Sequence, residues 1–412
     1  MIIKCPNCDG ALEYDVHSKQ MLCKFCYSYF DENQFGTQPE EDMRDTISKQ
    51  EMDNPSDTME QLQMGLSSED ADDEYMESDM YTCTACGAEL MINNVESSTF
   101  CAYCGQPTIV FSRVSKCRRP KYIIPFSVTK EQALKKIRDT LNKGFFVPQE
   151  IKDFKVEMLR GIYVPFWLYD IDYKDRLVVR GTVGSGKNSR TRYFYRKASC
   201  AFERITIDAS KRFNDESSQR LEPYRVQEAI PFQEGYLSGF YADCSDDDKI
   251  KMRNMALGRA KILFDAEVLK SISASNKNII RSNPQYKMVE TSYALLPAWF
   301  LVFRAENEHY TIMVNGQTGK LVGAVPSDKK KEMTVFGVMA VIFAILFGIV
   351  GMTLFSTGID SEATGKLIAF IAVIIGTMWL MARGNYKRYK MSKTLTTENA
   401  IKNLVTERQD DH

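Results

Sequence analysis

The feature that most restricts what this chain can fold into is a cysteine spacing that occurs twice. Cys5 and Cys8 are followed after 14 residues by Cys23 and Cys26, and Cys83 and Cys86 are followed after 14 by Cys101 and Cys104. The pattern C-x2-C-x14-C-x2-C therefore repeats at an offset of 78. A short hairpin between the two pairs of each copy brings four thiolates together, and four thiolates at about 2.3 Å from one ion make a closed, structural zinc site. Such a module has no adequate core, so metal binding is expected to supply a large part of its folding free energy. Leu12, Tyr14 and Leu22, and again Leu90, Ile92 and Phe100, alternate as hairpin strands should. Gly10, Gly87 and Gly105 stand where a knuckle often needs positive φ. His17 falls at the tip of the first hairpin and reads as a turn residue. Two zinc ribbons with two structural Zn2+ ions are thus expected, and a full set of cysteine ligands argues against hydrolytic zinc chemistry.

Eight of the 11 cysteines belong to these pairs. The chain opens Met-Ile-Ile-Lys-Cys with no apolar signal region, so thiolate chemistry in a reducing compartment is the better reading than disulfides. Cys117 is unpaired in sequence, and Cys200 and Cys244 read as small buried hydrophobes. Three histidines, His17, His309 and His412, leave little room for a catalytic triad or a multi-histidine metal centre.

At 412 residues the chain is long enough for two or three domains of about 150 residues each. Its formal net charge is only −1, but residues 31–80 carry 17 acidic and two basic side chains, which leaves +14 for the rest. That stretch lacks aromatic or β-branched periodicity and reads as an acidic disordered linker between ribbon 1 (1–30) and ribbon 2 (81–110).

Residues 118–326 read as an α+β cytosolic domain. Strands are expected at 122–128, 161–173, 175–183, 192–207, 287–291, 295–304, 309–314 and 320–325, with a helix opening at the capping box begun by Thr129 and a long helix over 246–271. Ile124-Pro125-Phe126 recurs as Ile230-Pro231-Phe232, and Val164-Pro165-Phe166-Trp167 is echoed by Leu296-Pro297-Ala298-Trp299. The echo suggests a duplicated helix-plus-antiparallel-sheet unit, with the prolines at edge strands or bulges and both tryptophans in the core. Gly181 to Asn188 comes close to a phosphate-binding loop, but Asn188 replaces the required hydroxyl and a strand-like run follows. It reads as a hairpin tip. No carboxylate pair marks an active site, so no catalytic residue and no enzymatic activity are expected.

The run 333–355 holds 23 residues without a charge, about 35 Å of helix, and 364–382 reads as a second span. Lysines at 329–331 and the basic tail 383–412 flank this pair. The positive-inside rule then places both termini in the cytoplasm of a two-span membrane protein. Ala340, Ala344 and Gly348 would offer a small-residue face for association of two copies.

The two ribbons, Ile123-Ile124-Pro125-Phe126, Gly161 to Trp167, Glu222-Pro223-Tyr224 and Asn315-Gly316-Gln317-Thr318-Gly319-Lys320 together resemble bacterial membrane-anchored zinc-ribbon proteins of the transcription-factor-IIB type. Such proteins are sometimes labelled primosomal-helicase-like, although no helicase motif stands in this chain. The resemblance covers most of the sequence outside the acidic stretch. It implies zinc binding through Cys5, Cys8, Cys23, Cys26, Cys83, Cys86, Cys101 and Cys104, membrane attachment, and an association with membrane-stress assemblies. The function expected is a non-enzymatic, membrane-tethered scaffold whose ribbons recruit a protein partner to the inner face of the bilayer. The alternative is nucleic-acid binding through Arg113, Lys116, Arg118, Arg119 and Lys121.

Overall fold

The computed structural model describes residues 3–31, 34–35, 74–92, 101–104, 106, 109–155, 158–210, 215–244, 249–305, 308–323, 328, 330 and 401–409, with scattered positions from 331 to 352. Strands dominate them. β1 (Leu12–Asp15), β2 (Gln20–Cys23) and β3 (Tyr29–Phe30) form a small sheet in the order β1-β2-β3. All later strands join one 13-stranded sheet. Ribbon 2 supplies β4 (Tyr75–Cys83), β5 (Glu89–Ile92) and β6 (Ile109–Arg118). β7 (Tyr122–Ile123), α1 (Lys130–Asn142) and α2 (Gln149–Lys152) lead to the hairpin of β8 (Leu159–Val183) and β9 (Arg190–Asp208). α3 (Asp215–Leu221), β10 (Ile230–Pro231), β11 (Tyr241–Asp243) and α4 (Lys249–Lys270) follow. The chain continues with β12 (Ser275–Arg281), β13 (Gln285–Ala305), β14 (Glu308–Asn315), β15 (Leu321–Gly323) and β16 (Ile401–Gln409).

The burial pattern of β8 explains its length. From Leu159 to Leu168 nearly every residue is buried, because this half is covered on both faces; from Tyr169 onward only alternate residues are buried. Two strands with a break near Lys174 are expected from sequence, yet one strand forms. Asp175, which looks like the break, points into the core and accepts bonds from Ser282 Oγ and the Asn283 amide at 2.7 Å each. A buried carboxylate with two donors is satisfied, so the strand continues. At the far end, Val183 pairs with Arg190 across a tip in which Gly184 and Gly186 have φ of 90° and 58°, the hairpin expected there in place of a phosphate loop.

The echoed segments pair with each other. β8 and β13 run antiparallel with Val164 opposite Leu296, Pro165 opposite Leu295 and Tyr163 opposite Pro297. In β7 and β10, Ile123 lies opposite Ile230. The two units thus meet about a local pseudo-two-fold. α4 buries Met252, Ala256, Ala260, Phe264 and Val268 against β8 and β9 of the first unit, while α1 shares a core with β13 and β14 of the second. The capping box at Thr129 and Gln132 forms as expected, and Ala133, Leu134, Ile137 and Leu141 are the buried face of α1.

Pro165 and Pro297 are not on edge strands. Each lies in a central strand at the one place where a missing N–H costs nothing. On its outer side β8 pairs with β11 at Ile162 and Tyr163 and with β9 from Phe166 onward, so Pro165 faces the junction and its carbonyl accepts from the Ala209 amide at 3.0 Å. β13 repeats this: β7 pairs up to Leu295, β14 from Ala298, and the Pro297 carbonyl accepts from the Gly316 amide at 2.8 Å. Trp167 and Trp299 are both buried, and the Trp299 indole donates to the Val128 carbonyl at 2.8 Å.

Two of the motifs behind the family resemblance touch each other. Asn315 Nδ2 donates to the carbonyls of Leu221 and Pro223, the Tyr224 hydroxyl donates to the Pro297 carbonyl, and Gln317 Oε1 accepts from the Arg225 amide. Fully buried Glu222 accepts from Thr206 Oγ1 at 2.9 Å and from Arg259 Nη1 of α4 at 3.2 Å. These residues clamp one loop to the sheet, a structural role.

Three expectations are corrected. Ribbon 2 is not a separate bead beside an α+β domain, because β4 to β6 extend the large sheet through β5 paired with β11. The C-terminal two-helix transmembrane hairpin is overturned: among the described residues no helix is long and apolar enough to cross a membrane. Apolar length describes composition, whereas crossing requires a continuous helix of that length. Only scattered positions of 333–355 are described, and the second run, 364–382, lies outside the described residues. The two-span localisation with cytoplasmic ends falls with the hairpin. In the third correction, the expected tail includes β16, which pairs antiparallel with β9. Most of the acidic stretch, 36–73, lies outside the described residues, but its end forms the start of β4.

Phe126 is fully buried and stacks on Phe240 with ring centroids 4.3 Å apart, in contact with Tyr163 and Trp299. Phe126→Ala is expected to cost about 4 kcal/mol by chemical denaturation, because the cavity is lined by rings that cannot collapse into it.

Candidate metal centres

Each cysteine pair sits on a knuckle built the same way. The first cysteine's amide donates to the carbonyl five residues on: Cys5 to Gly10 at 2.7 Å, Cys23 to Ser28 at 3.0 Å, Cys83 to Ala88 at 2.8 Å and Cys101 to Gln106 at 2.8 Å. In three of them the residue four places on donates back to the first cysteine's carbonyl, and it has positive φ: Asp9 at 61°, Tyr27 at 56° and Gly87 at 69°. Gly87 therefore has the expected role. Gly10 does not; Asp9 takes the left-handed position instead, since aspartate tolerates it. Gly10 is needed for space, as a Cβ there would lie 2.6 Å from the Phe25 ring. Gly105 lies outside the described residues.

These knuckles bring all eight predicted cysteines into two groups, Cys5, Cys8, Cys23 and Cys26, and Cys83, Cys86, Cys101 and Cys104. Within each the sulfur atoms lie within 4.8 Å of one another, and each group could hold a metal ion. Across the pairs the sulfurs approach to 3.5 Å (Cys5 and Cys26), 3.4 Å (Cys8 and Cys23), 3.6 Å (Cys83 and Cys104) and 3.8 Å (Cys86 and Cys101). These are far beyond an S–S bond of about 2.05 Å, so the thiols are free ligands. The first cysteine of every pair is buried, Cys8 and Cys86 are exposed, and Cys26 and Cys104 lie between. The Asn7 amide points at Cys5 Sγ from 3.4 Å, a donor that stabilises a thiolate. His17 remains at the β1–β2 tip, where its amide donates to Asp15 Oδ1.

The two sites differ in the ease with which they lose protons. The Ser28 hydroxyl and amide pull the Cys26 thiol down to about 6, whereas Cys8 is pushed up to about 12 as hydrogen bonds from Cys23 and Cys26 outweigh the Gly10 amide. In ribbon 2 burial raises Cys101 well above the usual thiol range and pushes Cys104 up to about 11.

Neither ribbon stands alone. The Tyr14 ring meets Tyr236 edge-on at 4.9 Å, the Tyr14 amide donates to the Ser238 carbonyl, and Leu12, Met21 and Cys23 share the core of Phe126 and α1. On ribbon 2, Tyr103, inside the knuckle of Cys101 and Cys104, donates to Asp243 Oδ2 at 2.6 Å, and Ser210 Oγ donates to the same oxygen. Asp243 is 5 % exposed. No sequence signal singles out Tyr103 or Asp243, which lie 140 residues apart and meet only through β11.

No protein-family model matches the chain, and no solved structure matches it. Over 242 residues, 56% of this chain and 71% of the relative, it is 27% identical to the uncharacterized protein YdjG of Bacillus subtilis (strain 168).

Metal binding to thiols releases protons. With the Cys26 thiol lowered by Ser28 and both Cys101 and Cys104 raised, ribbon 2 is expected to release more protons on binding an ion than ribbon 1. Competition against a metallochromic chelator between pH 6 and 8, on variants with one ribbon's cysteines changed to serine, should give a steeper pH slope for ribbon 2. Tyr103→Phe leaves the Asp243 carboxylate short of one donor and is expected to destabilise the fold by about 1–3 kcal/mol, read as a lower denaturation midpoint.

Proposed function

We propose that this chain is a non-enzymatic adaptor in which two structural zinc ions hold ribbons on a β scaffold, with ribbon 1 presenting a docking surface for a protein partner. Zinc is supported by the donor set: a tetrahedron of thiolates at about 2.3 Å has edges of about 3.8 Å, close to the sulfur separations in both groups. Four sulfurs leave no position for water or substrate, so the ions stabilise and do not catalyse.

The observation that carries the adaptor reading is an aromatic cluster. Phe25, Tyr27 and Tyr29 stand in and just after the knuckle of Cys23 and Cys26 and are 71%, 76% and 52% exposed, while the opposite side of the ribbon is packed on Tyr236 and the core. Three large rings held outward on a metal-stapled turn resemble the anchors of a protein interface, where Tyr and Phe are enriched. The neighbouring cations, Lys4 and Lys24, are paired with Asp9 and Glu13.

Nucleic-acid binding has less support, because four of the five cations after ribbon 2 have partners within the chain. Arg113 faces Glu89, Arg119 faces Glu74, Lys121 bonds Glu290 at 2.9 Å, and the Arg118 guanidinium lies 4.8 Å over the Trp167 ring.

Elemental analysis of the purified full chain should give two zinc ions per molecule. In-cell crosslinking followed by co-purification should recover one discrete protein with the wild type. The triple variant Phe25→Ala, Tyr27→Ala, Tyr29→Ala should lose it at least tenfold, with stability unchanged to within about 0.5 kcal/mol because the rings are exposed. A salt-dependent gel shift of the full chain with single-stranded or duplex nucleic acid would replace the protein-adaptor reading.

A further inference from the structure

Eight cysteines are committed to the two metal groups, and three are left over. Cys200 lies on β9 opposite Tyr173 and is buried in the core of Tyr173, Phe202 and Phe264. The other two meet, although 127 positions separate them in sequence. Cys117 closes β6 of ribbon 2, and Cys244 follows β11. Cys117 Sγ lies 3.7 Å and Cys244 Sγ 4.0 Å from the sulfur of Met80, so both thiols converge on one methionine sulfur. Met76 and Met91 belong to the same apolar cluster, so the pair sits in a soft, sulfur-rich environment at the seam between ribbon 2 and the scaffold.

We propose that Cys117 and Cys244 form a redox-modification site, a dithiol that a hydroperoxide converts to a disulfide while the metal-bound cysteines stay protected. The two thiols differ as an attacking and a resolving group must. The proximity of Cys244 draws the Cys117 thiol below the ordinary range against the opposing effects of burial, Glu89 and Asp243, with help from Arg113; Cys244 is held above that range by Cys117 and by burial. Cys117 is 6% exposed and Cys244 is only partly buried.

The chemistry balances. The Cys117 thiolate attacks one peroxide oxygen, the O–O bond breaks, and the departing hydroxide takes a proton to become water, leaving Cys117 as a sulfenic acid. The Cys244 sulfur then attacks the Cys117 sulfur, the S–O bond breaks, and the hydroxyl leaves as water with the Cys244 proton. Two thiols give up two electrons, and hydrogen peroxide accepts them. The product ties β6 covalently to the end of β11, beside Asp243, whose carboxylate already holds the Tyr103 knuckle of ribbon 2.

The test uses the full-length, zinc-loaded protein treated with hydrogen peroxide at low molar excess, then alkylated and mapped by mass spectrometry without reduction. The expected result is one cross-linked peptide pair joining Cys117 to Cys244, with both zinc ions retained against a metallochromic indicator. Cys244→Ser should abolish the cross-link and leave a Cys117 sulfenic acid that dimedone traps; Cys117→Ser should trap no dimedone at Cys244. Wild-type mapping alone decides the matter if a variant misfolds. The proposal is overturned if both thiols stay alkylatable while ribbon cysteines oxidise and zinc is lost, or if the first disulfide pairs either of them with a ribbon cysteine.

Discussion

The pairing of β8 with β13 is the constraint on which the rest of the molecule depends. It runs from Gln285 opposite Lys174 to Leu301 opposite Leu159, and it places the two echoed units face to face. On one face Tyr163, Leu295, Trp299 and Leu301 meet α1 and ribbon 1; on the other Ile162, Val164, Phe166, Leu296 and Phe300 meet the loop clamped by Glu222 and Asn315 and the knuckle of ribbon 2. Because a strand alternates its side chains between faces, one ladder can bury two cores at once. Each proline then falls where one outer partner ends and the next begins, so a residue that normally breaks ladders is accommodated at the centre of the sheet.

That ladder also sets how the metal centres act. Four cysteines around an ion could hold a ribbon as a freely moving bead, but ribbon 1 buries Leu12 and Met21 in the same cluster as Phe126, and ribbon 2 hands β5 to β11 as a sheet neighbour. An ion bound at either group would therefore contribute folding energy to more than the ribbon. The exposed cysteines Cys8 and Cys86 point outward, and on ribbon 1 so do Phe25, Tyr27 and Tyr29. A turn held by an ion at Cys5, Cys8, Cys23 and Cys26 would lose little conformational freedom when a partner covers its three exposed rings, which is the physical basis for proposing it as an adaptor surface.

The ligand set was legible because its signal is local: two residues between paired cysteines and 14 between pairs leave few geometries that do not converge. The Thr129 capping box and the buried face of α1 were legible for the same reason. Sequence patterns failed where a distant partner changed the meaning of a residue. Asp175 reads as a strand end until Ser282 and Asn283 satisfy it, Pro165 and Pro297 read as edge positions until their outer neighbours are known, and the tail strand Ile401–Gln409 has meaning only through β9.

By itself, the sequence determined which eight cysteines gather into two groups that could hold metal ions, the presence of two related units and the amphipathic helix that begins the first, because spacing and periodicity act over a few turns of chain. Only the tertiary structure decided that the two units face each other, that both ribbons are built into the scaffold, that Tyr103 reaches Asp243, and that Cys117 meets Cys244. Those contacts join residues 100 or more positions apart, and which of many equally apolar or polar partners is chosen depends on strand order and register, quantities that no local pattern encodes.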